Sequence, residues 1–176
     1  MAALGSPARP APAVLTTSDA FTEMQELEDE FTYDDGFDAG VADRGALARA
    51  PIQYTGYSNP RFGFHLEVPT VFRPMPDPDT GDGRQWRLGH LVAVTASGMY
   101  VPSDDYYPAC ANSPHVTAHQ GSKLACFATG KLNGFVHWER QVVARGVMFS
   151  LRVEYVEELK SAMDPIVAHV NASWGH

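Results

Sequence analysis

GFVHWERQVVARGVMFSLRVEY, residues 134–155, decides how this chain folds. Its second half alternates without a break. Val147, Phe149, Leu151, Val153 and Tyr155 fall on one side, and Met148, Ser150, Arg152 and Glu154 on the other. A period of two is that of a half-buried antiparallel strand, because successive side chains point to opposite faces of a sheet. The first half sorts the same way, with Phe135, His137, Glu139 and Gln141 set against Val136, Trp138, Arg140 and Val142. Arg145-Gly146 between the halves is a hairpin turn signal. The spacing therefore predicts a central hairpin to which the rest of the chain adds strands or a covering helix.

Upstream, in RFGFHLEVP, Phe62, Phe64, Leu66 and Val68 alternate with Gly63, His65 and Glu67 until Pro69 stops the strand. Proline-rich turns and Gly81-Asp82-Gly83 follow, then short strands at residues 85–88 and 90–101. SDDYYPACANSP is irregular; strand-like HVTAH and KLACFATG then lead through Leu132-Asn133-Gly134 into the hairpin. After Tyr155 the period becomes helical. Asp164 reads as an N-cap with Pro165 at the first helical position, where a missing N–H costs nothing, and Ile166, Val167, Val170 and Trp174 form the buried stripe. The fold class is α+β: an antiparallel sheet of six or seven strands with a C-terminal helix packed on it.

Charge divides the chain before any motif does. The net charge is −8, but nine acids and no Lys or Arg lie between residues 17 and 38, while residues 39–176 hold twelve of each sign. Three regions follow: an Ala/Pro-rich leader (1–16), an acidic arm (17–53) and an α+β domain (54–176). Within the arm, Thr16 to Asp19 offer N-cap candidates, and Phe21, Met24, Leu27 and Phe31 form one helical stripe. A helix this short is marginal alone. Its stripe covers either the protein's own sheet, which is a second possible helix on that sheet, or a partner groove. Residues 33–50 have no sustained period and read as a linker, with a turn of helix at residues 44–49.

Tyr57-Ser58-Asn59-Pro60-Arg61-Phe62-Gly63-Phe64, then Val68-Pro69 and Gly81-Asp82-Gly83-Arg84, resemble a group of bacterial, often exported, domains with a PsbP/Mog1-like fold. Gly130-Lys131-Leu132-Asn133-Gly134, Met163-Asp164-Pro165-Ile166-Val167 and Ala172-Ser173-Trp174 continue the resemblance over residues 54–174. It implies an antiparallel sheet with helices packed on it, in proteins known mainly as binding and assembly factors, with no common active site to carry over. It also favours an exported or periplasmic location. The first residues show no charged segment followed by an apolar one, so no signal peptide is visible; a signal already removed leaves the same picture.

Cys110, His115, His119 and Cys126 are the strongest candidates for chemistry. Three readings stand beside one another: a Cys110–Cys126 disulfide, the leading one; two free thiols; and a zinc site, for which the spacing is not a standard finger. In a strand, His115 and His119 share a face but lie too far apart to grip one ion easily. His137 and Glu139 share one strand face, His65 and Glu67 another. If the strands meet, the four form a His/Glu cluster suited to acid–base chemistry; otherwise they are ordinary cross-strand pairs. No nucleophile elbow or phosphate loop is present in the sequence.

The sequence thus predicts a non-catalytic protein-binding module, an accessory or assembly subunit tethered by its acidic arm. The expected partner is another protein subunit offering a basic or apolar groove; no nucleic acid, direct membrane insertion, cofactor or metal is expected. Its binding residues are the arm stripe Phe21, Met24, Leu27 and Phe31 and the loop run Asp104, Asp105, Tyr106 and Tyr107, since tyrosine joins apolar area to a polar tip. A small hydrolase or metal-dependent enzyme using the His/Glu cluster, and an inhibitor or immunity-type protein, are the alternatives.

Overall fold

The computed structural model describes Gly45, Leu47, residues 51–101, Cys110, residues 116–121 and residues 124–176. Strands β1 (Tyr54–Ser58), β2 (His65–Pro69), β3 (Arg73–Pro74), β4 (Gly83–Leu88) and β5 (Val92–Tyr100) precede β6 (Val116–Gly121), β7 (Ala125–Leu132), β8 (Phe135–Ala144) and β9 (Val147–Val156). A 3-10 turn (Glu157–Leu159) then opens helix α1 (Lys160–Ser173). Seven strands form one antiparallel sheet in the order β3-β4-β5-β9-β8-β7-β6, and β1-β2 form a separate hairpin.

β9 sits at the centre of that order, flanked by the long partners β5 and β8. Its predicted stripe is the core: Phe149, Leu151, Val153 and Tyr155 are buried, with Val147 at the margin. Arg145 and Gly146 both take positive φ, 52° and 73°, as do Asn133 and Gly134 at 52° and 80°. Positive φ at both central residues gives a two-residue turn the twist that matches its strands, which is why these dipeptides close β8-β9 and β7-β8.

Phe64, Leu66 and Val68 from the β2 segment and Met163, Ile166 and Val170 from α1 cover the stripe, all essentially without exposure. Hairpin and helix therefore share one face of the sheet, and the peptide groups of His65 and Gly175 exchange hydrogen bonds of 2.9 and 3.0 Å. Leu47, helical as expected for residues 44–49, is buried in the same core. Among the described residues no helix is long and apolar enough to cross a membrane.

The helix start departs from expectation. Asp164-Pro165 does not open α1; Pro165 lies inside it, a turn after its first residue Lys160. Leu159 and Met163 are buried with Ile166, so apolar periodicity extends the helix toward its N-terminus past the local start signal. Asp164 instead accepts from Lys160 at 2.7 and 2.8 Å and stands 3.4 Å from the Tyr155 hydroxyl. Burial, then the neighbouring Asp164 carboxylate, pushes the Tyr155 phenol up to about 12.

The unfolded chain ionises Tyr155 near pH 10 whereas the native protein holds its proton to about 12. Native stability is thus fully served below pH 10 and is lost as pH rises through that window. Tyr155→Phe should flatten the fall in urea midpoint between pH 10 and 11 relative to wild type; parallel curves would place the phenol elsewhere.

Candidate functional site on the polar face of the sheet

The face turned away from α1 carries the residues left over when β8 and β9 commit their apolar sets to the core. The register stacks them in rows. Arg73, Arg87, Ala93, Glu154, His137 and Gly130 form one, and Gln85, Thr95, Arg152, Glu139 and Ala128 the next. His137 Nδ1 lies 2.8 Å from Glu154 Oε1, a direct cross-strand pair. Glu139 is only 4% exposed. Its Oε1 accepts from Gln141 Nε2 at 2.9 Å, Arg152 Nη2 at 3.2 Å and the Ser150 hydroxyl at 3.4 Å. A buried carboxylate is tolerated when its lone pairs are met in this way.

The predicted His/Glu cluster does not assemble. β2 packs on the helix-bearing face, so His65 and Glu67 lie on the far side of the sheet from His137 and Glu139. Glu67 accepts instead from His169 of α1 at 2.7 Å, and its backbone N–H donates to Ser173 Oγ at 2.9 Å. His169 also stacks on Tyr54, ring centroids 3.6 Å apart. His65 stays at the backbone bridge to Gly175. Strand periodicity shows which face a residue takes within its own strand, but not which side of the sheet the strand occupies.

Cys110 and Cys126 form a disulfide, which takes both sulfurs out of any zinc tetrad. With Ala128 they make a small apolar cluster, all three buried. Cys126 pairs with Gln141 in register, so the cluster sits on the polar face of β7. His119 belongs to β6, opposite Ala128, in keeping with the strand reading. Among the described residues no group of three or more His, Cys, Asp or Glu could hold a metal ion. The arm stripe Phe21, Met24, Leu27 and Phe31, the loop run Asp104, Asp105, Tyr106 and Tyr107, and His115 lie outside the described residues.

Two open clefts lie one on each face of the sheet. One, of about 400 Å³, lies between β7-β8 and α1, walled by Phe127, Trp138 and Val167 with Lys160, Asp164 and Asn171 at its rim. Phe127 and Trp138 meet edge to face at 5.4 Å. The other, of about 280 Å³, lies on the polar face beside Arg87 and His90. The sequence reading missed both, because each needs side chains from three or more elements.

No protein-family model matches the chain. No curated protein matches it either. The solution structure of cyanobacterial PsbP (CyanoP) from Synechocystis sp. PCC 6803 superposes with a TM-score of 0.54 at 10% identity, over 70% of this chain and 92% of that one. At that identity the likeness carries the fold, and the fold is the PsbP/Mog1-like α+β arrangement expected.

Reducing the Cys110–Cys126 bond, which spans a sequence separation of 16, frees an unfolded-state loop worth about 3 kcal/mol. The Cys110→Ser/Cys126→Ser double variant should lose close to that in urea unfolding, and an unchanged midpoint would mean the thiols are not linked. Arg152→Ala strips a buried anion of the cation paired with it among the described residues and should cost about 1–3 kcal/mol. Glu139→Gln should cost less, since Arg152 is half exposed and water can rehydrate it. The opposite order would mean that the carboxylate is not the desolvated partner.

Proposed function

We propose that this protein is a non-catalytic binding module, an accessory or assembly subunit of a larger complex, with residues 17–53 as its tether and residues 54–176 as its folded body. The carrying observation is the division of charge: all nine acids of residues 17–38 stand without one Lys or Arg, beside a body of balanced charge. An arm so biased is attracted to a basic surface and repelled by nucleic acid backbone. Phe21, Met24, Leu27 and Phe31 supply apolar anchors for a partner's groove, with Asp104, Asp105, Tyr106 and Tyr107 as a second contact.

The polar face supports this reading from the other side. His137 and Glu139, the groups best suited to acid–base work, are each engaged by a neighbouring strand. His65, which the hydrolase alternative needs beside them, lies across the sheet. The disulfide supports an exported or periplasmic location, since such bonds persist in oxidising compartments.

The chain of 176 residues and a form of residues 39–176, which loses the acids of the arm and keeps the core residue Leu47, should be compared as baits in extract from the source organism, with bound subunits identified by mass spectrometry. The shorter form is expected to keep the far-UV spectrum of a β-rich domain and to lose the subunit that the longer form retains. Recovery of the same subunit in equal amount by both forms would rule out the arm as tether.

A further inference from the structure

On the polar face His137 is answered by Glu154 and Glu139 by Arg152, but at the β3-β4 end that pattern fails among the described residues. Arg73 stands directly opposite Arg87 in antiparallel register, and both are exposed. Directly opposed side chains are about 4.5–5.5 Å apart at Cβ, and like charges so placed oppose strand pairing. Neither guanidinium has an ion pair or hydrogen bond among the described residues. Glu154, in the same row of the register as Arg87, is committed to His137, and Asp77, three residues beyond β3, to Arg84. Protection of the sheet edge does not account for the pair. Pro74 already blunts the two-residue edge strand, and Arg87 belongs to the strand inside it.

Beside Arg87 the surface falls into the cleft of about 280 Å³, with His90 at one wall, Ala93 and Phe135 among its lining, and the His137–Glu154 pair beyond them. We propose that this end of the polar face binds an acidic peptide segment of a protein partner, with carboxylates on Arg73 and Arg87 and an apolar side chain against Ala93 and Phe135. Charge complementarity selects the occupant. Two adjacent uncompensated guanidiniums suit carboxylates, which arginine binds in a fork. Residues 39–176 carry twelve charges of each sign, so the body lacks the wide positive field that a nucleic acid needs, and Glu154 in the wall would repel a continuous phosphate backbone. The inference rests on the reading of the protein as a binding module and gives it a second contact, separate from the arm.

The test is fluorescence anisotropy of full-length protein with labelled oligo-glutamate at low salt. Arg73→Glu and Arg87→Glu should each weaken binding about tenfold or more. Arg145→Glu, the same charge change at the exposed β8-β9 turn, should change it less than about twofold. Far-UV spectra like that of the wild type and urea midpoints no lower than its own confirm that the variants fold. No binding by the wild type overturns the proposal, as does an equal loss in Arg145→Glu. Tighter binding of single-stranded DNA than of oligo-glutamate also overturns it, in favour of a phosphate-binding face. The arm is untouched in every variant, so the tether reading survives any of these failures and is judged by its own truncation.

Discussion

Burial of one face of β9 governs the rest of the molecule. A strand with Phe149, Leu151, Val153 and Tyr155 on one side presents more apolar surface than its neighbours in the sheet can cover, because sheet neighbours lie beside it and not over it. Each fully buried aliphatic or aromatic side chain contributes about 1.5–3 kcal/mol relative to exposure. Something must therefore lie on that face, and two elements divide it. α1 supplies Met163, Ile166 and Val170, while the β1-β2 hairpin brings Phe64, Leu66 and Val68. The helix must begin where its first buried residue is needed. That is why Leu159 and Met163 override the start signal at Asp164-Pro165.

The stretches that carry the family resemblance meet in space. Asn59 is almost wholly buried, and its amide Nδ2 donates to the Gly81 carbonyl at 3.0 Å while Oδ1 accepts from the backbone of Arg61 and Phe62 at 3.0 and 2.8 Å. Arg61 reaches Asp82 at 2.6 Å and the Thr80 carbonyl. At Gly83 a Cβ would collide with the Ala96 carbonyl oxygen, so β4 approaches β5 only without a side chain there. One buried asparagine and one arginine thus pin the loop before β2 to the turn before β4. They fix where the covering hairpin sits relative to the sheet.

Local signals were legible wherever the cause was local. Alternation in residues 135–155, the Asn133-Gly134 and Arg145-Gly146 turns and the stop at Pro69 each depend on a few adjacent residues, and each is found in place. The disulfide followed from a pair count joined to a domain of exported type. What depended on the relative placement of strands was not legible. His65-Glu67 and His137-Glu139 look alike as text, yet one pair faces out from the covering hairpin and the other lies beneath its own sheet. Arg73 and Arg87, fourteen positions apart by their numbering, become neighbours only through the β3-β4 register, so nothing in the sequence marks them as a pair.

The two faces of the sheet follow different rules, and the polar one is less constrained by folding. On the covered face a substitution meets close-packed atoms, so residue choice there is dictated by shape. On the polar face only backbone pairing and solubility constrain a strand, and a mixture of Ser, Thr and Gln would satisfy both. The observed choice is more costly. Glu139 is desolvated and held by three donors, and two arginines stand opposed without a counter-ion among the described residues. The first expense stays within the domain, because the partners of Glu139 among the described residues come from β8 and β9 and tie that hairpin together. The second returns nothing to the isolated fold. Nothing among the described residues relieves that repulsion, whereas a bound anion would, and on that asymmetry rests the proposal of a contact surface at the β3-β4 end of the sheet.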